Sequence, residues 1–206
     1  FNTEIRYMEE MPIVKNLNGK AKINSNSISF NIEGGYSQNL EILNGKVVLF
    51  DLDSDVEKSD VSLQIIGSNE NVIQYLDSSI IDKQTYSNLR TVIGNNSIIL
   101  TLSFPLLVNL KTEQIKYKAD VEISESIFSK FYNNYDLEHF NLNIKIKNDD
   151  INFSGNGELL GSSFKFEGNQ FQENNNLKNV ISGSYILDAD SIPSVIFDQK
   201  IIDNGK

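Results

Sequence analysis

The chain has no cysteine and no tryptophan, only three prolines and one histidine. Without cysteine there is no disulfide, no thiolate metal site and no cysteine nucleophile. With a single histidine, a Ser-His-Asp triad or a histidine metal cluster would rest on His139 alone, and a rim or surface position is the plainer reading of that residue. No apolar run approaches the roughly 20 residues that cross a bilayer. Positive charge is also scarce: 18 Lys and Arg stand against 28 Asp and Glu, a formal net charge of -10. That balance disfavours nucleic acid and anionic membrane surfaces as partners. At 206 residues the length suits one β domain with a sizeable core, or a slice of a longer repetitive one. Because it opens on Phe1, the expectation is a piece of a larger or processed protein.

What the chain does have is alternation. Phe140, Leu142, Ile144 and Ile146 fall at spacing two with Asn, Asn and Lys between them, the pattern of a strand with one dry and one wet face. Asn148-Asp149-Asp150 turns the chain, Ile151 and Phe153 resume the pattern, and Leu160-Gly161-Ser162-Ser163 turns it again before Phe164-Lys165-Phe166. The same signature recurs at Ala21 and Ile23; at Ile28, Phe30 and Ile32; at Val61, Leu63 and Ile65; at Ile98 to Phe104; and at Tyr117 to Ile123. Leu17 to Lys20 reads as a turn, Asn44-Gly45 as a hairpin, and Gly168 to Asn176 as a polar loop. Ser126 to Tyr135 reads as a loop or helical turn. One helical insertion is expected at about 69–93, where Val72, Tyr75 and Leu76, and again Leu89, Val92 and Ile93, recur at helical spacing. The domain reading is thus a single segment, 1–206: strands over about 17–67, the insertion, strands over about 97–187, and a tail 188–206 leading to a next unit. A weak internal echo between Ser27 to Gly34 and Asp150 to Gly157 supports a repeating β architecture.

About ten strands of this kind pose a problem of cover. Burying a large aliphatic or aromatic side chain is worth roughly 1.5 to 3 kcal/mol, and one short helix is too little to roof so wide a sheet. Three covers are open: a second sheet, as in a sandwich; the same sheet curled into a trough or barrel; or an apolar ligand held along the trough.

Several stretches resemble the AsmA-like proteins of Gram-negative bacteria, bridge-like lipid transfer proteins of the YhdP and TamB type, with YhdP the nearer branch. They are Gly67 with Asn71-Val72-Ile73-Gln74-Tyr75-Leu76-Asp77-Ser78, Leu100-Thr101-Leu102-Ser103-Phe104-Pro105-Leu106, Ile115 to Val121, and Ile151 to Phe164. The likeness runs from about Gly19 to Tyr185, and none of its elements performs chemistry. It departs from the family in having Glu167-Gly168-Asn169 after Phe164-Lys165-Phe166, where a tryptophan is usual. The resemblance implies a mainly β chain: a curved antiparallel sheet forming an open groove of repeating units. It implies a periplasmic protein tied to the inner membrane by a segment not present here, passing phospholipid acyl chains between the inner and outer membranes as part of outer-membrane biogenesis. Its partners would be acyl chains and flanking groove units of the same chain, with no cofactor and no catalysis. Within that reading the expected groove-lining residues are Ile28, Phe30, Leu63, Leu102, Val121, Leu142, Ile144 and Phe153, inferred from the polarity of their neighbours. The rival is a closed β-sandwich acting as a structural or adhesive module without ligand.

Chemistry elsewhere is thin. Asp51-Leu52-Asp53-Ser54-Asp55 opens like a calcium loop, but Val56 stands where glycine is needed and Ser62 where a bidentate Glu is needed, so it reads as a solvated turn. Gly155, Gly157 and Gly161 lack phosphate-loop spacing and read as close strand packing or a bulge. Asp149-Asp150 and the pair Asp188 and Asp190 could be imagined as a glycosidase acid and base, though turn carboxylates are far commoner.

Overall fold

In the computed structural model, residues 3–6, 11–78, 91–132, 134–148, 150–173 and 176–186 are described. They form β1 (Thr3–Ile5), β2 (Val14–Ile23), β3 (Ser27–Ser37), β4 (Leu40–Phe50), β5 (Lys58–Ser68), α1 (Asn69–Asp77) and β6 (Val92–Pro105). A short 3-10 turn at Thr112–Gln114 leads to β7 (Lys116–Tyr132), β8 (Tyr135–Lys147), β9 (Asp150–Leu159), β10 (Ser162–Glu173) and β11 (Asn176–Tyr185). The strands make one antiparallel sheet of 11 in strict chain order. It is curved and does not close: β1 and β11 are its two edges. Mainly β architecture with one short helix is as the sequence implied, and the facing sheets of a sandwich are not formed among the described residues.

Several stretches read as breaks are continuous strand. Leu17 to Lys20 lies inside β2, where the register slips between Lys15 and Gly19. Asn44-Gly45 lies inside β4, where the slip falls between Ile42 and Asn44. The Asn44 side-chain amide donates to Gln64 Oε1 at 2.8 Å, so the asparagine ties two strands together instead of reversing the chain. Ser126 to Tyr132 is the far end of β7, and Gly168 to Glu173 completes β10. Val92 and Ile93 belong to β6, opposite Phe128 and Ile127 of β7, because β-branched residues favour the ladder over a helix, and on the other side the Val92 carbonyl accepts from Asn69. The helical reading holds for α1; Leu89 and the tail 188–206 lie outside the described residues.

These slips form a band. Register shifts occur in β2 near Asn16, in β4 near Leu43, in β6 near Gly94, in β7 at Ser124 and Glu125 and again near Lys130, and in β8 near His139. Asn16, Glu125, Lys130 and His139 take left-handed φ values of 50°, 48°, 55° and 46°, as an inserted bulge residue does. Bulges bend and twist the strands that carry them, so a band of them running across the strands folds the sheet about a line perpendicular to its strands.

The core sits at the rim where α1 lies. Val92, Ile123, Leu137, Phe140 and Leu142 are buried together, with Val121, Phe128, Ile144, Phe153, Leu159, Phe164 and Phe166 packed on them. Helix α1 starts at the N-cap Ser68, whose hydroxyl accepts from the Asn71 backbone N–H. It is pinned at its first residue by the Asn69 amide, which donates to the Val92 carbonyl at 2.9 Å, and it buries Ile73. No helix among the described residues is long and apolar enough to cross a membrane.

Candidate functional site

Antiparallel partners point to the same face of a sheet, so the register assigns every side chain to one side. One row runs Ile42, Ile65, Ile98, Val121, Ile144, Phe153 across β4 to β9. The next runs Leu63, Leu100, Ala119, Ile146, Ile151, and a third runs Phe30, Val47, Val61, Leu102, Tyr117. The opposite face carries their sequence neighbours, such as Lys46, Ser62, Thr101, Lys118, Lys145 and Asn152. There Lys20 Nζ meets Glu33 Oε1 at 2.7 Å, and the hydrogen bond and charge of that carboxylate hold the ammonium above its usual pKa.

All eight residues expected to line a groove fall on the apolar face. Phe30 and Leu102 share one row, Val121, Ile144 and Phe153 another. Leu63 lies between those rows, Ile28 pairs with Leu49 one step toward the far rim, and Leu142 pairs with Ile123 toward the helix rim. They differ in exposure. Leu142 is buried, and Val121, Ile144 and Phe153 pack on the core, whereas Phe30 is 39% exposed and Ile28, Leu63 and Leu102 are half-buried. Val121, Ile144 and Phe153 are themselves only partly buried, and Leu40 and Ile42 on β4 are buried like Ile123 and Leu142, so the face is closed along the helix rim and open toward the far rim.

Sequence reasoning missed what closes that rim over β7 to β10. The rings of Phe128 and Phe131 lie 5.3 Å apart, Phe131 and Phe164 5.8 Å, Phe140 and Phe166 6.0 Å, and Phe164 and Phe166 5.6 Å. Strands β7 and β10 would stand about 14 Å apart in a flat sheet, so the Phe131 to Phe164 contact requires curvature and a β7–β8 arm that leans across the face. Three of the four large rings on β9 and β10 face a glycine: Phe153 opposite Gly168, Phe166 opposite Gly155, Phe164 opposite Gly157. A Cβ on Gly155 would come within 2.5 Å of the Phe166 ring, and one on Gly168 within 2.4 Å of the Phe153 ring. The rings lie down on their neighbours' missing side chains, so close packing accounts for Gly155; Gly161, with φ of 74°, serves the turn. The alternation Phe164-Lys165-Phe166 was the available signal.

His139 is an exposed bulge residue whose Nδ1 lies 3.9 Å from Glu125 Oε2. Asp51 pairs with Lys58 Nζ at 2.8 Å, and Ser54 Oγ donates to the Asp51 carbonyl, as a solvated turn would have it.

These features define an open, single-sheet antiparallel β protein with a continuous apolar face. No family model, curated protein or solved structure matches the chain.

Proposed function

We propose that this chain is a segment of an AsmA-like lipid-transfer protein, held in the periplasm of a Gram-negative bacterium and tied to the inner membrane by a part of the protein outside this segment. Its role is non-enzymatic: the apolar face shields phospholipid acyl chains on their way between the inner and outer membranes while head groups stay in water at the rim.

The observation that carries this reading is the uninterrupted rows of half-buried aliphatic side chains on a sheet with no second sheet over it. Each half-exposed Leu, Ile or Val leaves about 1 kcal/mol of burial unrealised, and the rows toward the far rim repeat that deficit many times. An acyl chain laid along them removes it. From Ile42 to Phe153 a row crosses five inter-strand steps, about 24 Å, longer than the roughly 15 Å that the chains of one leaflet span. Methylene burial has no direction, at about 0.8 kcal/mol per CH₂, so chains can slide along the rows with little selectivity. The open edges at β1 and β11 are where flanking groove units would continue the surface.

Native mass spectrometry of the purified chain tests this. Phospholipid is expected to co-purify and to be lost in Leu63→Asp and Leu102→Asp, both on the open half. A lipid-free monomer that unfolds cooperatively would overturn it.

A further inference from the structure

The polar face of β8 to β11 holds a grid of side chains that the lipid reading does not use. Asn143, Ser154, Glu167 and Ser182 are mutual cross-strand partners in one row. Lys145, Asn152 and Asn169 are partners in the next. Two adjoining hollows of about 450 and 430 Å³ open over this grid and share Ser154, Glu167 and Ser182. Both lie in the size range of small-molecule sites, about 300–1,000 Å³.

The hollows follow from side-chain length. Ser154, Ser182 and the backbone at Gly168 make a low floor, and Lys145, Asn143, Glu167 and Asn169 stand round it. Ser182 Oγ donates to Glu167 Oε1 at 3.5 Å. Asn143, Lys145, Asn152, Ser154 and Asn169 make no side-chain hydrogen bond or ion pair among the described residues. Amides and hydroxyls offer donors and acceptors side by side, which suits a ligand carrying both on each unit.

We infer that these hollows form a binding site for a neutral oligosaccharide. Glu167, shared by both hollows, stands between one lysine in each, Lys145 and Lys165, so charge of neither sign dominates the floor, and the net charge of -10 over the whole chain disfavours an anionic ligand. A peptide would find free main-chain groups only along the outer edge of β11 and none over the floor, because those of the inner strands are spent in the ladder. Successive grid rows are two residues apart along the strands, so the Lys145, Glu167 and Lys165 rows span about 13 Å, room for an extended run of sugar units. The hydroxyls of such a chain reach the amides of Asn152 and Asn169 on one side and Glu167 at the centre. Phe153 and Phe166 border the hollows, but by register their rings point to the opposite face, so no ring stacks on the ligand and the affinity is weak, with Kd about 1 mM.

The test is titration of the full chain with cellohexaose, maltohexaose, chitohexaose and a mannohexaose, followed by NMR or calorimetry, with a hyaluronan hexasaccharide as the anionic contrast. At least one neutral hexasaccharide is expected to bind, and either Ser154→Tyr, which fills the shared floor, or Glu167→Ala should weaken it at least about tenfold. Lys22→Ala, on the same face of β2, should leave it unchanged. The inference is overturned if none of the neutral sugars binds up to about 10 mM, if binding survives both variants, or if hyaluronan binds more tightly. Circular dichroism of each variant checks that the sheet is intact. The outcome is independent of lipid binding, because the grid and the apolar rows lie on opposite faces.

Discussion

At the scale of single residues, two side-chain types carry most of the local geometry. Glycine lets the rings lie flat, and asparagine repairs the ladder where bulges open it. The Glu125 N–H, displaced by its bulge, donates to Asn141 Oδ1 at 3.1 Å, and the Asn141 amide donates to the His139 carbonyl at 3.0 Å. At the end of β8, where the ladder stops, the Tyr117 N–H donates to Asn148 Oδ1. Asn141→Ala should therefore destabilise the protein by about 1 kcal/mol in urea unfolding, more than an ordinary exposed asparagine would. Gly155→Ala gains about 0.5–1 kcal/mol of strand propensity but places a Cβ 2.5 Å from Phe166 and 2.7 Å from the Asn141 carbonyl. Since the backbone oxygen cannot step aside, overpacking of about 1–3 kcal/mol wins, and the variant should melt at lower temperature. Leu160 points the other way. It takes φ of 54° beside Gly161 at 74° in the β9–β10 hairpin, a turn that favours Asn-Gly. Leu160→Asn should stabilise by about 1 kcal/mol, and a raised denaturation midpoint would show it.

At the scale of elements, the sequence was clear where alternation was strict and misleading where a bulge interrupted it. Phe140 to Ile146 and Ile151 with Phe153 read as strands and are strands. Asn44-Gly45 and Leu17 to Lys20 read as turns because Asn and Gly favour reversal, yet β3 and β5 hold the first in the ladder and β3, with β1 at Leu17, holds the second. A turn and a bulge use the same residues, and only the number of partners separates them. The β7–β8 arm was misleading for a further reason: its bulges put Ile127, Phe128 and Phe131 at i, i+1 and i+4, a helical spacing, so a bulged strand reads as a loop or helical turn. In Phe131→Ala the arm should lose its contact with Phe164 and open, which hydrogen exchange would report as faster exchange over Ser126 to Leu137 with about 1 kcal/mol lost overall. Ser68→Ala removes the cap of α1 and should cost about 1 kcal/mol, read in the same unfolding assay.

At the scale of the whole molecule, the side assignment of all eight candidate residues was legible from polarity alone, since period-two alternation leaves no freedom once a strand is paired. The degree of cover was not, because it depends on curvature, on where the β7–β8 arm lies and on which rings lie flat. That division decides the central claim, which is that the open half of the apolar face holds acyl chains. A photoreactive phenylalanine analogue placed in turn at Leu102 and at its neighbour Thr101, one on each face, measures it most directly. Irradiation in membrane-containing cells should cross-link phospholipid from position 102 and not from 101. Equal labelling at the two positions, or none from 102, would contradict the account.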